Sequence, residues 1–374
     1  MSTDAQAAAG RAFRRAGLRL LTGAAVLAVG IVALELTFGF WWSATGWDRA
    51  LALNIVVNRT VVYDASSLYS GGGRVVYTRD RYGLRGDYGA PEDITVLTLG
   101  GSATDQRYLS DGLTWHDELQ RRLRAAGHPA TVANAGVDGH STFGHLASYD
   151  YWLPLIPGLR PRYTILFVGV NDFFLREPVL PWEGTPDGTA LLWHRIRASS
   201  AFYRVYATVQ GAALARRMGL GHTRIDLDRI AWADTPRLRD HGAVGQSHAR
   251  AFEERFARLL DRVRAAGSEP VCVTQPSWYY RFDPDGRVMG ADMDLSFEGA
   301  YDSTPPINGI DYFHLRRMFD GVMLASCTSR RAPTIDLAVA AWEASDFYDF
   351  VHMTPSGARK LGRRIAAAME GLPW

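Results

Sequence analysis

From Ile94 onward the chain alternates between short apolar runs and longer stretches whose apolar residues recur at helical spacing. The runs are ITVLTL (94–99), TVANA (131–135), YTILFVG (163–169), PVCVTQP (270–276) and PTIDL (333–337). They are continuous, short and rich in β-branched residues, which predicts strands covered on both faces. Between them Trp115–Ala126, Ser200–Met218, His248–Ala266 and Asp311–Ser326 predict helices, and Ser356–Met369 predicts a closing one. Strand–helix alternation of this kind predicts a three-layer α/β/α domain with a parallel sheet over residues 93–374. Ligands in such sheets bind beyond the carboxyl ends of the strands, so the loops after the five runs are the places to look for chemistry. Residues 219–247 and 276–310 are rich in Gly, Pro and Asp with weak periodicity, and read as surface insertions. The second follows a strand end and is placed to wall a cleft.

The N-terminal pattern is different. Arg11, Arg14, Arg15 and Arg19 precede Leu20–Trp42, which is apolar apart from Thr22, Glu35 and Thr37. A bilayer core needs about 20 apolar residues in a helix. The stretch therefore predicts a transmembrane signal anchor over 20–42, with residues 1–19 cytoplasmic and the rest of the chain outside, periplasmic in a Gram-negative cell. Trp41 and Trp42 suit the far interface. A cleaved signal peptide is the rival reading, but the apolar stretch is long and no clean A-x-A site follows it. Residues 43–92 hold two strand-like runs, NIVVNRTVVY and RVVYTRD, on either side of the turn-forming SGGG, and predict a small antiparallel accessory segment.

Composition narrows the classes. The chain has 374 residues, 47% of them hydrophobic and 21% charged, with a net charge of +2. This is globular composition, and no overall field favours nucleic acid. Lys360 is the only lysine, and nothing functional follows from that. The two cysteines form no CxxC pair, and no Cys/His set has zinc spacing. Cys272 lies inside an apolar run and reads as a core residue. A Cys272–Cys327 disulfide, which needs an oxidising compartment, stays open.

Four strand ends carry candidate chemistry. LGGSATD places Ser102 directly after the first run, among small residues that allow a sharp turn. The stretch lacks the Lys of a phosphate loop, the glycine spacing of a dinucleotide site and the second Gly of a G-x-S-x-G elbow. A plain turn or a nucleophilic serine of another class remains. NAGVDGHST offers Asn134, Gly136 and Gly139, with Gly136 the candidate for an unhindered backbone N–H. FVGVNDFF offers Asn171, whose amide can donate to an oxyanion, beside Asp172; a turn-forming Asn-Asp pair is the plainer reading. In DFYDFVHMTPSGARK, Asp349 and His352 stand three apart on the loop entering the last helix, which Thr354 caps and Pro355 begins. At that spacing a carboxylate can fix an imidazole tautomer and stabilise the imidazolium. His140 and His145 lie near a strand end, placed either to line a cleft or simply to pack.

Together these four blocks resemble the SGNH (GDSL-type) hydrolase superfamily, in its membrane-tethered bacterial form. GGSATD corresponds to the Ser block, NAGVDG to the Gly block, GVND to the Asn block and DFVH to the Asp-x-x-His block, in family order over about residues 93–372. The resemblance implies a flavodoxin-like sheet of order 2-1-3-4-5. It implies Ser102 as nucleophile, His352 as general base and acid, and Asp349 as the residue orienting His352. It implies an oxyanion hole built from the Ser102 N–H, the Gly136 N–H and the Asn171 side chain, and neither metal nor organic cofactor. One position departs: Gly101 stands where the family carries an acidic residue before the serine, so the substrate preference of ordinary GDSL lipases does not carry over.

The expected activity is that of a serine esterase acting outside the cytoplasm through an acyl-serine intermediate, on an acylated glycan or a small acyl ester. Two other readings have discriminating features. An O-acyltransferase of exported polysaccharide would use the same acyl-serine, but alginate-acetylation proteins carry an Asp-x-His before the serine, whereas the Asp349/His352 pair follows it. A non-catalytic tethered glycan-binding module would need no reactive serine.

Overall fold

In the computed structural model of the chain, residues 3–39, 41–42, 47–173, 193, 196–197, 199–217, 222–295 and 306–374 are described. The first half runs α1 (Thr3–Phe38), α2 (Trp47–Ala52), β1 (Arg59–Asp64), β2 (Arg74–Arg79), β3 (Val96–Gly100), α3 (Ser102–Asp105), α4 (Trp115–Ala125), β4 (Val132–Asn134), α5 (Thr142–Tyr151), β5 (Tyr163–Phe167) and α6 (Val170–Phe173). The second half runs α7 (Ala201–Arg217), β6 (Trp232–Ala233), α8 (His241–Ala265), β7 (Glu269–Val273), β8 (Tyr280–Phe282), β9 (Val288–Ala291), α9 (Gly309–Ser329), β10 (Thr334–Ile335) and α10 (Pro355–Met369).

The five apolar runs become one parallel sheet in the order β10-β7-β5-β3-β4. Numbered along the chain, these strands stand 2-1-3-4-5, the flavodoxin-like order the resemblance implies. Successive side chains point to opposite faces of a strand, and the core divides accordingly. Leu97, Leu99, Leu166 and Cys272 face the layer of α5, α8 and α9. Val96, Ile165, Phe167, Val271 and Val273 face the layer of α4 and α10. The α10 stripe of Ala358, Leu361, Ile365, Ala366 and Met369 recurs at helical spacing and is fully buried. Gly362 lets α10 close on α4, because a Cβ there would stand 2.4 Å from the Trp115 carbonyl oxygen.

Residues 59–86 are bound to this unit rather than hung from it. Strands β1 and β2 form the expected antiparallel pair. Arg85 then bridges Asn134 at the edge strand β4, with backbone bonds of 3.0 and 2.7 Å. The apolar helix α1 contains a stretch, Gly17–Phe38, long and apolar enough to cross a membrane, and none of it is buried. The helix ends before Trp41 and Trp42, so the apolar segment is displaced toward the N-terminus from the expected 20–42. Glu35, the acidic residue within it, accepts hydrogen bonds from the Ser200 hydroxyl and the Ala201 N–H at the start of α7, and from the Trp41 indole at 3.2 Å.

Two features differ from the expectations and one left open is answered. Parts of the two supposed surface insertions form a three-stranded antiparallel sheet, β6-β9-β8, and α8 begins at His241, inside the first of them. The strands are too short for alternation to register, but Trp278, Tyr280 and Ala291 are buried. Of these stretches and the helix expected to Met218, residues 218–221 and 296–305 lie outside the described residues. Helix α5 has no counterpart in the sequence reading, because nearly every position from Thr142 to Tyr149 is buried and a helix enclosed all round shows no amphipathic stripe. Finally, Cys272 is both a core residue and bonded to Cys327, with the Cα atoms 6.6 Å apart.

That bond ties β7 to α9 across 55 residues, a loop for which chain entropy gives about 4 kcal/mol of stabilisation. Replacing both cysteines by alanine should lower Tm by roughly 5–10 °C. A double variant that melts with the wild type under non-reducing conditions would contradict this.

Candidate active site

Strand β3 ends in two glycines for steric reasons. A Cβ on Gly100 would stand 2.2 Å from Thr104 Oγ1 and 2.4 Å from the Phe167 carbonyl oxygen. One on Gly101 would stand 2.6 Å from Asn171 Nδ2 and 3.0 Å from the His140 carbonyl oxygen. The chain therefore turns at once into α3, with Gly101 as N-cap and Ser102 in the first helical position. There the Ser102 N–H has no intrahelical acceptor. Gln106, in the left-handed region at φ 49°, closes this single turn.

Two buried groups hold the turn from below. Asn134 Nδ2 donates to the Thr104 carbonyl at 2.6 Å and lies 3.1 Å from His116 Nδ1. Arg79, delivered by β2, pairs with Asp105 and donates to the carbonyls of Gly83, Asn134 and Gly136. Burial alone would raise the Asp105 carboxyl, but Arg79, Arg107 and Arg85 outweigh it and lower it.

The loop before α10 brings the other partners. Asp349 Oδ1 accepts the N–H groups of Val351 and His352 at 2.9 and 2.7 Å, a local turn that fixes the carboxylate. Its Oδ2 lies 2.6 Å from His352 Nδ1, and His352 Nε2 lies 2.7 Å from Ser102 Oγ. A proton on Nδ1 donated to Asp349 leaves Nε2 as acceptor for the serine hydroxyl. The Thr354 cap and Pro355 start α10 as expected. The segment around β8 supports the loop: the Trp278 N–H donates to the Phe350 carbonyl at 2.7 Å, and Tyr279 stacks on Phe350. Burial pulls the His352 imidazole down, but the Asp349 carboxylate outweighs it and raises its pKa above the ordinary 6.5. Burial raises Asp349 and His352 lowers it, with a net lowering.

The expected oxyanion donors fare differently. Asn171, in α6, is partly exposed and uses one amide hydrogen on the His140 carbonyl at 2.8 Å, which leaves the other free to donate. Its neighbour Asp172 is structural: both carboxylate oxygens take the Thr142 N–H and one takes Arg255. Gly136 does not fit its expected role. It is buried, and its N–H donates to Asn134 Oδ1 at 2.7 Å. Three residues on, Gly139 is partly exposed at φ 80°, and its N–H meets no protein acceptor among the described residues. Nothing in the sequence separates the two glycines. His140 and His145 line no cleft. Both are buried, His140 Nε2 is bound to the Leu53 carbonyl at 2.7 Å, and burial lowers the pKa of each, to about 4 for His140.

One further histidine, unremarked in the sequence, lies here. The His222 ring is 4.1 Å from that of His352. With Asp349 these two could in principle hold a cation, but both ring nitrogens of His352 are already engaged, by Asp349 and Ser102. The arrangement is that of a hydroxyl polarised by an oriented imidazole.

The family model described as "GDSL-like Lipase/Acylhydrolase family" matches residues 98–360. No curated protein sequence matches significantly. Among solved structures, a putative G-D-S-L family lipolytic protein from Desulfitobacterium hafniense is similar at 10% identity and TM-score 0.38, over 73% of this chain and 98% of that one. The esterase EstA from Pseudoalteromonas sp. is similar at 12% identity and TM-score 0.40, over 74% and 96%. An acetyl-xylooligosaccharide esterase from Geobacillus Stearmophilus is similar at 14% identity and TM-score 0.38, over 75% and 94%.

Titration of the His352 imidazole by NMR should give a midpoint above 6.5, because protonation is stabilised by the ionised Asp349. Asp349→Asn removes that charge and should lower the midpoint. An unchanged midpoint in the variant would show that Asp349 does not control the imidazole.

Proposed function

The chain belongs to the GDSL-like lipase/acylhydrolase family and is by class a serine esterase, and on that premise we propose that Ser102, His352 and Asp349 carry out acyl-ester hydrolysis. The observation that carries the proposal is the unbroken chain of short hydrogen bonds from Asp349 through His352 to Ser102 Oγ.

In this reading Ser102 Oγ attacks the acyl carbon while His352 Nε2 takes its proton. The carbonyl oxygen becomes an oxyanion, held by the Ser102 N–H, the Gly139 N–H and the remaining Asn171 amide hydrogen. The Asn134 bond that occupies Gly136 is the reason the second donor is assigned to Gly139. Collapse breaks the ester bond, and the imidazolium gives its proton to the departing alkoxide. Water, deprotonated by His352, then attacks the acyl-Ser102 ester; the acyl–Oγ bond breaks, the acid leaves, and His352 returns the proton to Ser102 Oγ. No step calls on a metal or organic cofactor. Asp349 keeps the imidazole in the tautomer that accepts from serine and stabilises the charge it gains.

The substrate is an acylated glycan or a small acyl ester, met outside the cytoplasm. Residues 17–38 serve as a single-pass membrane anchor, with residues 93–374 as the hydrolase domain and 43–92 as an accessory segment fixed to it. The length and apolar character of that helix support this placement, and so does the Cys272–Cys327 bond, since such bonds persist in oxidising compartments.

Ser102→Ala should abolish hydrolysis of p-nitrophenyl acetate, and Asn171→Ala should lower kcat about 10²–10³-fold, the usual cost of one oxyanion donor. Full activity in Ser102→Ala would overturn the assignment. Because His352 must be neutral to accept the proton and its pKa is raised, kcat/KM should be low in acid and rise with pH through a midpoint above 6.5. A midpoint below 6.5 would contradict the role of the Asp349 carboxylate.

A further inference from the structure

The reaction as drawn leaves His222 without a task. Its side chain is nine-tenths buried, packed between the rings of His352 at 4.1 Å and Tyr108 at 4.7 Å. His222 Nδ1 lies 2.6 Å from the Tyr348 hydroxyl. Tyr348 is buried, and that hydroxyl has no other acceptor among the described residues. Its proton therefore points at Nδ1, and the hydrogen of the neutral imidazole sits on Nε2. Burial, reinforced by the neighbouring His352, holds the His222 pKa well below its usual value, so the ring stays neutral.

The Nε2–H is buried and has no hydrogen-bond partner among the described residues, which is costly unless a ligand supplies one. Asp138 Oδ1 stands 4.0 Å away, beyond direct bonding distance. The separation suits a single oxygen bonded to both at about 2.8 Å each. Asp138 is held from its other side, where Oδ2 receives Arg107 at 2.9 Å.

A donor facing a carboxylate across that gap favours a group that both accepts and donates. A second carboxylate or a phosphate would accept from His222 but would be repelled by Asp138. An ammonium would satisfy Asp138 but could not accept from His222. A methyl group would leave both unpaired. A hydroxyl accepts from one and donates to the other. We propose that His222 and Asp138 form a hydroxyl-binding subsite beside the Ser102–His352 pair, and that the alcohol part of the substrate is a polyol or sugar carrying a free hydroxyl next to the esterified one. This rests on ester hydrolysis at Ser102 and names the side of the substrate that reading leaves open.

The test compares glycerol monoacetate, which has the neighbouring hydroxyl, with propyl acetate, which has the same chain without it. The purified full-length protein is assayed as wild type, His222→Phe and Asp138→Ala. Wild type should favour glycerol monoacetate in kcat/KM by about tenfold or more, the scale of one buried hydrogen-bonding site left unpaired by the wrong substrate. Either variant should bring that ratio close to one. If His222→Phe does not fold, Asp138→Ala, on a partly exposed loop, carries the comparison. A wild-type ratio near one, or a ratio that survives both substitutions, overturns the subsite while leaving hydrolysis intact. A wild-type protein inactive on both esters overturns the hydrolase assignment, and the subsite with it.

Discussion

The site depends on one hydrogen bond between side chains 250 positions apart, Ser102 Oγ and His352 Nε2. The serine has no base among its own neighbours in sequence, whereas the histidine has its orienting carboxylate three residues away. The serine sits on a one-turn helix at the end of a central strand, and the histidine on the loop before the last helix. Only the packing of α10 beside α4, over the same face of the sheet, brings them within 2.7 Å. Gly362 at the α10–α4 contact and the Asp349 turn therefore both bear on the geometry of that bond. The first sets how close the helix comes, and the second sets where the imidazole points.

Beneath that bond lies a second constraint. A sharp strand-to-helix turn leaves backbone carbonyls facing inward, and buried carbonyls need donors. Arg79, Arg85 and Asn134 supply them: Arg85 takes the carbonyls of Asp105, Gln106 and Leu109, and Asn134 that of Thr104. The two arginines come from β2 and the residues just after it, ahead of β3, so that segment helps to fix the turn that carries Ser102. A buried charge such as Arg79 is costly without compensation, and Asp105 with three carbonyls provides it. The same crowding accounts for Gly101. Asn171 occupies the space where a side chain before the serine would stand, so the small residue and the close approach of the candidate oxyanion donor belong together.

Much of this was legible in the sequence because it rests on local patterns. Continuous β-branched runs marked the five sheet strands, and helical spacing marked α4, α8, α9 and α10. The short blocks at the strand ends single out Ser102, Asn171, Asp349 and His352 only through their resemblance to the SGNH blocks, and the fold brings Ser102, His352 and Asp349 into hydrogen-bonding distance. What was not legible depends on neighbours distant in sequence. Helix α5 is enclosed on all sides and so lacks a periodic signature. The sheet β6-β9-β8 is built from strands too short to alternate. Gly136 and Gly139 look alike in the sequence, and only the Asn134 side chain, folded back on Gly136, tells them apart. His222 stands alone, without an acidic neighbour or a motif, and acquires meaning only through the rings of Tyr108 and His352 around it.

The central claim is that the Asp349–His352 pair makes Ser102 the reactive nucleophile of this chain. Labelling with a fluorophosphonate probe, followed by peptide mapping by mass spectrometry, tests it most directly. The adduct should lie on the peptide containing Ser102, and His352→Ala should suppress its formation. An adduct on another residue, or undiminished labelling of Ser102 without His352, would contradict the account.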